Sequence, residues 1–291
     1  GAHRYGSTAA KIGFLLTDSR SLCFPEETLF FALRSERNDG HNYIPELYRR
    51  GVSNFVVVDV PKDYERLYPR ANFLKVVSPL KALQRLAERH RDAFNVPVIG
   101  ITGSNGKTMV KEWLYQLLSP SMVVTRSPRS YNSQIGVPLS VWLMNEETQV
   151  GIFEAGISQP GEMQALRDII QPTIAVLTNL GAAHQENFGS MEEKCRQKML
   201  LFHDAHTMVY DADDPIVAKM AAQLDEKGER LYWSATDRQA PMFIKGINKG
   251  EAATIIEYVY KQGKSRQYTI PYIDEASITN SIICMAVCLC M

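Results

Sequence analysis

Val98-Ile99-Gly100-Ile101-Thr102-Gly103-Ser104-Asn105-Gly106-Lys107-Thr108 decides the fold. An apolar run breaks into a glycine-rich turn that closes on Lys-Thr, and Val110, Trp113, Leu114, Leu117 and Leu118 then recur at helical spacing. A turn set between a strand and a helix N-terminus in this way reads as a nucleotide phosphate loop. Its glycines let backbone N–H groups converge on phosphate oxygens, Lys107 supplies a cation for the β- and γ-phosphates, and the Thr108 hydroxyl can hold Mg²⁺. The candidate ATP-binding residues are therefore Gly103, Ser104, Asn105, Gly106, Lys107 and Thr108. The strict G-x-x-x-x-G-K-[ST] pattern asks for glycine where Ile101 stands, so the loop is a variant; the plainer alternative is an ordinary glycine-rich strand-to-helix turn.

The chain has 291 residues, 45% of them hydrophobic, which is enough for sizeable cores and suggests two domains. Lys+Arg and Asp+Glu balance at 32 each, so no global field draws it to nucleic acid or to an anionic membrane. The five cysteines, Cys23, Cys195, Cys284, Cys288 and Cys290, are odd in number and form no C-x-x-C pair, which argues against a disulfide framework or a zinc site. No signal peptide is seen, and no apolar run reaches the ~18 residues of a transmembrane helix, so a cytoplasmic location is expected.

Ahead of the loop, strands are predicted at 12–16, 28–33, 55–60 and 73–77 with a helix near 43–50, a small α/β domain. Leu80, Leu83, Leu86, Ala87 and Phe94 make an amphipathic helix that Asn95-Val96-Pro97 ends, which sets the domains at 1–95 and 96–291. After the loop, strands at 122–125, 150–154, 174–178, 208–210 and 231–233 and a helix at 191–202 imply a mostly parallel sheet covered on both faces. Ligands of such sheets lie at the C-terminal strand ends. Glu154 emerges there, and a carboxylate at the end of an apolar strand calls for a cation, Mg²⁺ beside Thr108 being the economical reading and a salt bridge or water the alternative. His184 follows the next strand, and Lys198 lies on the helix after it; alone, the one reads as structural and the other as a solvated charge.

In order and spacing these segments resemble the Mur ligases, which join an amine to a carboxylate using ATP. The resemblance is carried by Thr102-Gly103-Ser104-Asn105-Gly106-Lys107-Thr108, by Ser130-Tyr131-Asn132-Ser133-Gln134-Ile135-Gly136-Val137-Pro138, a segment that in the family lies near the γ-phosphate and the acyl substrate, and by Phe153-Glu154-Ala155-Gly156, Thr178-Asn179-Leu180 with His184, and Gly189-Ser190 with Lys198. It implies that Glu154 and His184 bind Mg²⁺. It also implies that Lys198, rather than Lys194 one turn away, is carbamylated and engages a second metal. Only a neutral amine reacts with CO₂, so Lys198 needs a depressed pKa. The same likeness makes Asn132 a substrate contact and places Asn280 near adenine. In the first domain Asp18-Ser19-Arg20, Leu29-Phe30-Phe31-Ala32-Leu33 and Asp39-Gly40-His41 are similar to the family's UDP-sugar site, with Ser19 and Arg20 as candidates for the diphosphate and His41 a weaker one.

Within the family, residues 153–163 and 182–190 look most like the MurF branch, which adds D-alanyl-D-alanine to UDP-N-acetylmuramoyl-tripeptide in peptidoglycan precursor synthesis. Their wording is similar to segments that some bacteria carry fused to an alanine racemase. The helix expected at 277–291 is apolar nearly all round and must be buried. Because Mur ligases continue into a Rossmann-like third domain, the resemblance implies a fragment without that domain and inactive alone. The alternatives are a MurE-like or folylpolyglutamate-synthetase-like ligase, and a module that binds nucleotide or UDP-precursor without turnover. A guanine-nucleotide switch is disfavoured, since Asn248-Lys249-Gly250-Glu251 carries Glu where its base-reading motif needs Asp.

Overall fold

A computed structural model describes residues 2–6, 9–183, 185–224 and 228–291. The chain is mixed α/β with mostly parallel sheets and divides into two compact units, residues 1–87 and 88–291.

In the first unit the described strands are β1 (His3–Tyr5), β2 (Phe14–Leu16), β3 (Thr28–Phe31), β4 (Asn54–Val57) and β5 (Asn72–Lys75), ordered β1-β5-β4-β3-β2. All neighbours are parallel except β1 with β5. The helices are α1 (Ile44–Arg49), α2 (Tyr64–Leu67) and α3 (Pro79–Arg91), the last crossing the division between the units. Phe30, Phe55 and Phe73 fill the core with Ile44 and Leu47, and Phe55 stacks on Phe73 at 5.4 Å. Strand β1 has no apolar alternation to announce it; it exists through its backbone pairing, His3 opposite Lys75 and Tyr5 opposite Phe73.

The second unit holds β6 (Val98–Thr102), β7 (Val124–Arg126), β8 (Val150–Glu154), β9 (Ile174–Leu177), β10 (Thr207–Val209) and β11 (Glu229–Arg230), all parallel, ordered β11-β10-β9-β6-β8-β7. Helices α4 (Lys107–Leu118), α5 (Gly136–Val141), α6 (Glu162–Ile170), α7 (Met191–Met199) and α8 (Pro215–Ala221) connect them. A smaller sheet of β12 (Trp233–Ser234), β13 (Met242–Lys249), β14 (Thr254–Tyr260) and β15 (Ser265–Ile270) leads to α9 (Glu275–Cys290). Every residue of β6 and of β8 is buried, the outcome a continuous apolar run demands when both faces of a parallel sheet are covered. From β6 the chain runs out to β7, returns through β8 and then crosses to β9 on the far side of β6. The loops after β6 and β9 therefore open a crevice at the C-terminal edge.

Helix α9 joins the main core through Ile278, Ile282, Ile283, Ala286 and Val287, beside Val110 and Leu114 of α4 and Ile244 and Ile256 of the small sheet. Each buried Ile or Val side chain contributes about 1.5–3 kcal/mol by leaving water, which fixes α9 against the helix that follows the Gly103 turn. Cys284 is packing, its Sγ 3.8 Å from the Val110 carbonyl and its thiol pushed up by burial.

One expected strand is two. Leu231 N and Trp233 N donate to Met208 O and Tyr210 O, continuing along β10, while Trp233 and Ser234 pair with Met242 and Phe243. The chain thus changes sheets at Leu231-Tyr232. Residues Asn248–Glu251 lie at the β13–β14 turn, remote in sequence from any strand of the large sheet.

Candidate active site

Two glycines give the loop its shape. Gly103 has φ +144° and Gly106 φ +82°, both in the range that L side chains avoid. A Cβ on Gly103 would fall 1.9 Å from Thr178 Oγ1, and one on Gly106 2.6 Å from Asn280 Oδ1. The loop is fastened to the chain that leaves β9. Ser104 N donates to Asn179 O (3.0 Å), Asn105 N to Asn179 Oδ1 (2.9 Å), and Thr178 Oγ1 to Asn105 O (2.5 Å). Gly181 N also donates to Ser104 Oγ at 2.9 Å. Beyond this anchorage, the first N–H groups of α4 have no partner within the helix, and its dipole favours an anion there.

Lys107 Nζ folds back onto Gly103 O (2.8 Å) and Ser104 O (3.3 Å). Burial lowers its pKa, against the opposing pull of Glu154. Lys198 Nζ reaches the same Gly103 carbonyl from α7, at 3.1 Å. That side chain is buried, and burial, then the charges of Lys107 and Lys194, push it down to about 7. Its register is set by the start of α7, where Ser190 Oγ caps Glu193 N at 3.1 Å and Glu193 Oε2 accepts from Gly189 N at 2.8 Å. Lys194 instead donates to the Gly181 carbonyl (2.5 Å) and to that of Ala183, so of these two lysines Lys198 contacts the glycine of the loop. His184 lies outside the described residues.

Glu154 ends β8 wholly buried. Its Oε2 accepts from Thr108 Oγ1 at 3.0 Å, and Thr108 Oγ1 is 3.2 Å from Ser130 Oγ. Its Oε1 lies 3.0 Å from Lys111 Nζ yet accepts no well-aligned hydrogen bond. Asn132 is adjacent, its carbonyl accepting from Gly156 N at 2.8 Å and its side chain so close that a Cβ on Gly156 would meet Cγ at 2.9 Å. Among the described residues no three His, Cys, Asp or Glu side chains cluster as a cage. Two hydroxyls and the Glu154 Oε2 that faces them nevertheless suit Mg²⁺, which is usually held by one or two carboxylates, waters and substrate phosphates.

Beside the loop a cavity of about 500 Å³ is lined by Gly106, Met109, Leu180, Asp211 and Asn280 among others. Asn280 is buried against Gly106. The Asp211 carboxyl is pushed up to about 6 by burial, and its Oδ1 accepts from Asp213 N at 2.9 Å. Volume and mixed lining fit a nucleoside.

A family model, the Mur ligase middle domain, matches residues 101–288. The chain belongs to the Mur ligase family. It is 31% identical over 277 residues to a UDP-N-acetylmuramoyl-tripeptide--D-alanyl-D-alanine ligase of Bacillus subtilis, covering 93% of this chain and 57% of that protein. Among solved structures it is similar to MurF from Acinetobacter baumannii, with a TM-score of 0.84 and 25% identity over 94% of this chain and 59% of that one. It is also similar to MurF ligase from Thermotoga maritima in complex with ADP, with a TM-score of 0.81 and 26% identity over 95% of this chain and 62% of that one. The chain thus spans under two thirds of these Mur ligases.

Of the residues expected to form this Mur ligase site, the loop residues, Thr108, Glu154, Lys198, Asn132 and Asn280 meet around β6, β8 and β9. Three contributors were not anticipated, Lys111, the anchoring role of Thr178-Asn179 and Asp211, while Ser130 opens the segment 130–138 that the family likeness places near the γ-phosphate. Thr178-Asn179 was legible as a family segment but not as the loop's fastening, while Lys111 has a signal in its place one turn after Thr108 on the same helix face.

In the first unit, Asp18 Oδ1 caps a short turn by accepting from Arg20 N at 3.0 Å, and the Arg20 guanidinium forks onto the same carboxylate at 2.6–3.1 Å. That pairing holds the Asp18 carboxyl below its ordinary value. Ser19 O accepts from Arg50 Nη1 at 3.0 Å. His41 is structural: Nε2 accepts from Val58 N at 3.1 Å, which places the ring proton on Nδ1 facing Asp39 at 2.6 Å. No described helix is long and apolar enough to cross a membrane.

Proposed function

We propose that this chain supplies the ATP and UDP-precursor sites of a cytoplasmic ligase that adds D-alanyl-D-alanine to UDP-N-acetylmuramoyl-tripeptide. The observation that carries the reading is the convergence of Lys107 and Lys198 on one side of the Gly103 turn with Thr108 bonded to Glu154 on the other. The names of the relatives support these substrates.

In this reading a carboxylate oxygen of the tripeptide attacks the γ-phosphorus, the bond to the β,γ-bridging oxygen breaks, and ADP leaves an acyl phosphate. The D-alanyl-D-alanine amine then adds to the acyl carbon, loses its proton, and the tetrahedral intermediate expels phosphate. Chemistry of this kind depends on positioning and on neutralising charge. Lys107 swings from Gly103 to the β- and γ-phosphates, the N-terminal N–H groups of α4 bind the same oxygens, and Asn132 orients the acyl group. Thr108 and Glu154 would hold Mg²⁺, which when bound neutralises phosphate charge; His184 and a carbamylated Lys198 are the candidates for a second ion. Asn280 and Asp211 line the nucleoside cavity, and Ser19 and Arg20 of a UDP-binding domain at 1–95 would engage the diphosphate.

Lys107→Ala in the protein that carries this chain is expected to abolish ADP release dependent on both UDP-N-acetylmuramoyl-tripeptide and D-alanyl-D-alanine. Release at the unaltered rate would reject the assignment, and stimulation by a different carboxylate substrate would redirect it.

A further inference from the structure

Lys111 is a buried cation that the reaction above does not use. It follows Thr108 by three residues and Lys107 by four, on the face of α4 that meets the end of β8. Its ammonium donates to Ser127 O at 2.9 Å and to Arg129 O, and stands 3.1 Å from Glu112 Oε1 and 3.0 Å from Glu154 Oε1. The side chains of Lys111 and Glu154 are both wholly buried.

The distribution of these contacts is informative. Two carbonyls of the 127–129 segment take N–H bonds, whereas Glu154 Oε1, with no well-aligned hydrogen bond, is met by charge alone. Oε2 is thereby the oxygen presented to Thr108, whose hydroxyl also meets Ser130. The same ammonium ties the segment that ends in Ser130 to the helix that begins the phosphate site. A positive charge already resides where a divalent ion would need to approach.

We propose that Lys111 is a positioning residue for Glu154: it holds Oε1, leaves Oε2 facing Thr108, and makes the bare site a poor host for a divalent cation. Repulsion between Lys111 and the ion is overcome only when polyphosphate charge is added, so metal and nucleotide enter together. This rests on the nucleotide-site reading and adds to it an order of assembly.

The test uses Mn²⁺ as the probe, counted by electron paramagnetic resonance on the 291-residue chain without nucleotide. Lys111→Met is expected to raise Mn²⁺ affinity on the order of tenfold or more, because a unit charge has been removed beside the ion. The double variant Lys111→Met/Glu154→Gln is expected to lose that gain and to regain thermal stability, the buried carboxylate having gone with its partner. A folded Lys111→Met with unchanged or weaker Mn²⁺ binding would show Lys111 to be structural only and overturn the proposal. So would a double variant that keeps the gain. Should Lys111→Met not fold, the double variant is expected to fold, and failure of both overturns the proposal. Wild type that takes up no Mn²⁺ even with ATP would instead overturn the nucleotide-site reading, so the two failures are distinguishable.

Discussion

Two lysines are buried on the two flanks of the phosphate loop, in opposite company. On the β8 side Lys111 stands between the carboxylates of Glu112 and Glu154. On the β9 side Lys198 shares the Gly103 carbonyl with a second ammonium, Lys107, and has Lys194 as a further positive neighbour. Both are side chains that folding takes out of water, yet one is matched by opposite charge and the other is set against its own kind. The first arrangement holds a geometry; the second makes an amine that sheds its proton readily, the property CO₂ capture requires. Opposite responses to removal of the charge follow.

The largest effect is expected on the matched side. Lys111→Met leaves Glu154 buried without its counter-charge, and removal of one partner from a buried pair costs about 3–5 kcal/mol. Denaturant unfolding of the chain should report the loss, and an unchanged midpoint would erase the distinction between the flanks.

On the other flank the sign depends on pH. Lys198 falls from an ordinary 10.5 to about 7 on folding. Below pH 7 it is protonated folded and unfolded, and the full penalty of burying its charge is present. Between about 7 and 10.5 the unfolded chain holds the proton that the folded chain has released, so unfolding free energy rises with pH. Above that window both states are neutral. Lys198→Met, which never carries charge, is therefore expected to be more stable than wild type at pH 6 by a few kcal/mol, and to lose that advantage towards pH 10. Melting temperatures of the two proteins in CO₂-free buffer across that range measure it. A difference that stays flat would mean that Lys198 is as well matched as Lys111.

The flanks also differ in how far the amino-acid order discloses them. The loop and Glu154 were legible because each is contiguous with the strand that aims it: β6 runs directly into Gly103, and β8 ends on the carboxylate. Lys198 needed the family's spacing from Gly189-Ser190, since nothing local distinguishes it from a solvated helical lysine. Lys111 offers in the sequence only its place one turn after Thr108; what buries it, the carbonyls of Ser127 and Arg129, comes from a segment sixteen to eighteen residues downstream. Asn179 similarly acts through long-range bonds to Ser104 and Asn105. Periodicity recovered most strands of the five- and six-stranded sheets, but it assigned none to β13, β14 and β15 of the small sheet and merged β11 with β12, because a chain that changes sheets without a break keeps its apolar rhythm. It also passed over β1, which pairs through its backbone with little apolar content.

The smallest effect is expected in the first unit, where the proposed diphosphate contact is a charge pair of a third kind. Arg20 is 88% exposed and forks onto Asp18 in solvent, where ion pairs contribute little. The turn does not depend on that fork, since Asp18 also caps it through the Arg20 backbone N–H, which Arg20→Ala retains. Arg20→Ala is therefore expected to leave the melting temperature unchanged while weakening UDP-N-acetylmuramoyl-tripeptide binding and flattening its salt dependence. Asp18 competes with phosphate for the same guanidinium. Asp18→Asn keeps a capping oxygen and removes the competing charge, so it should tighten that binding by a few-fold. Titration calorimetry of both variants separates the roles: a fall in melting temperature for Arg20→Ala would make the arginine structural, and unchanged affinity in both would move the diphosphate away from this turn.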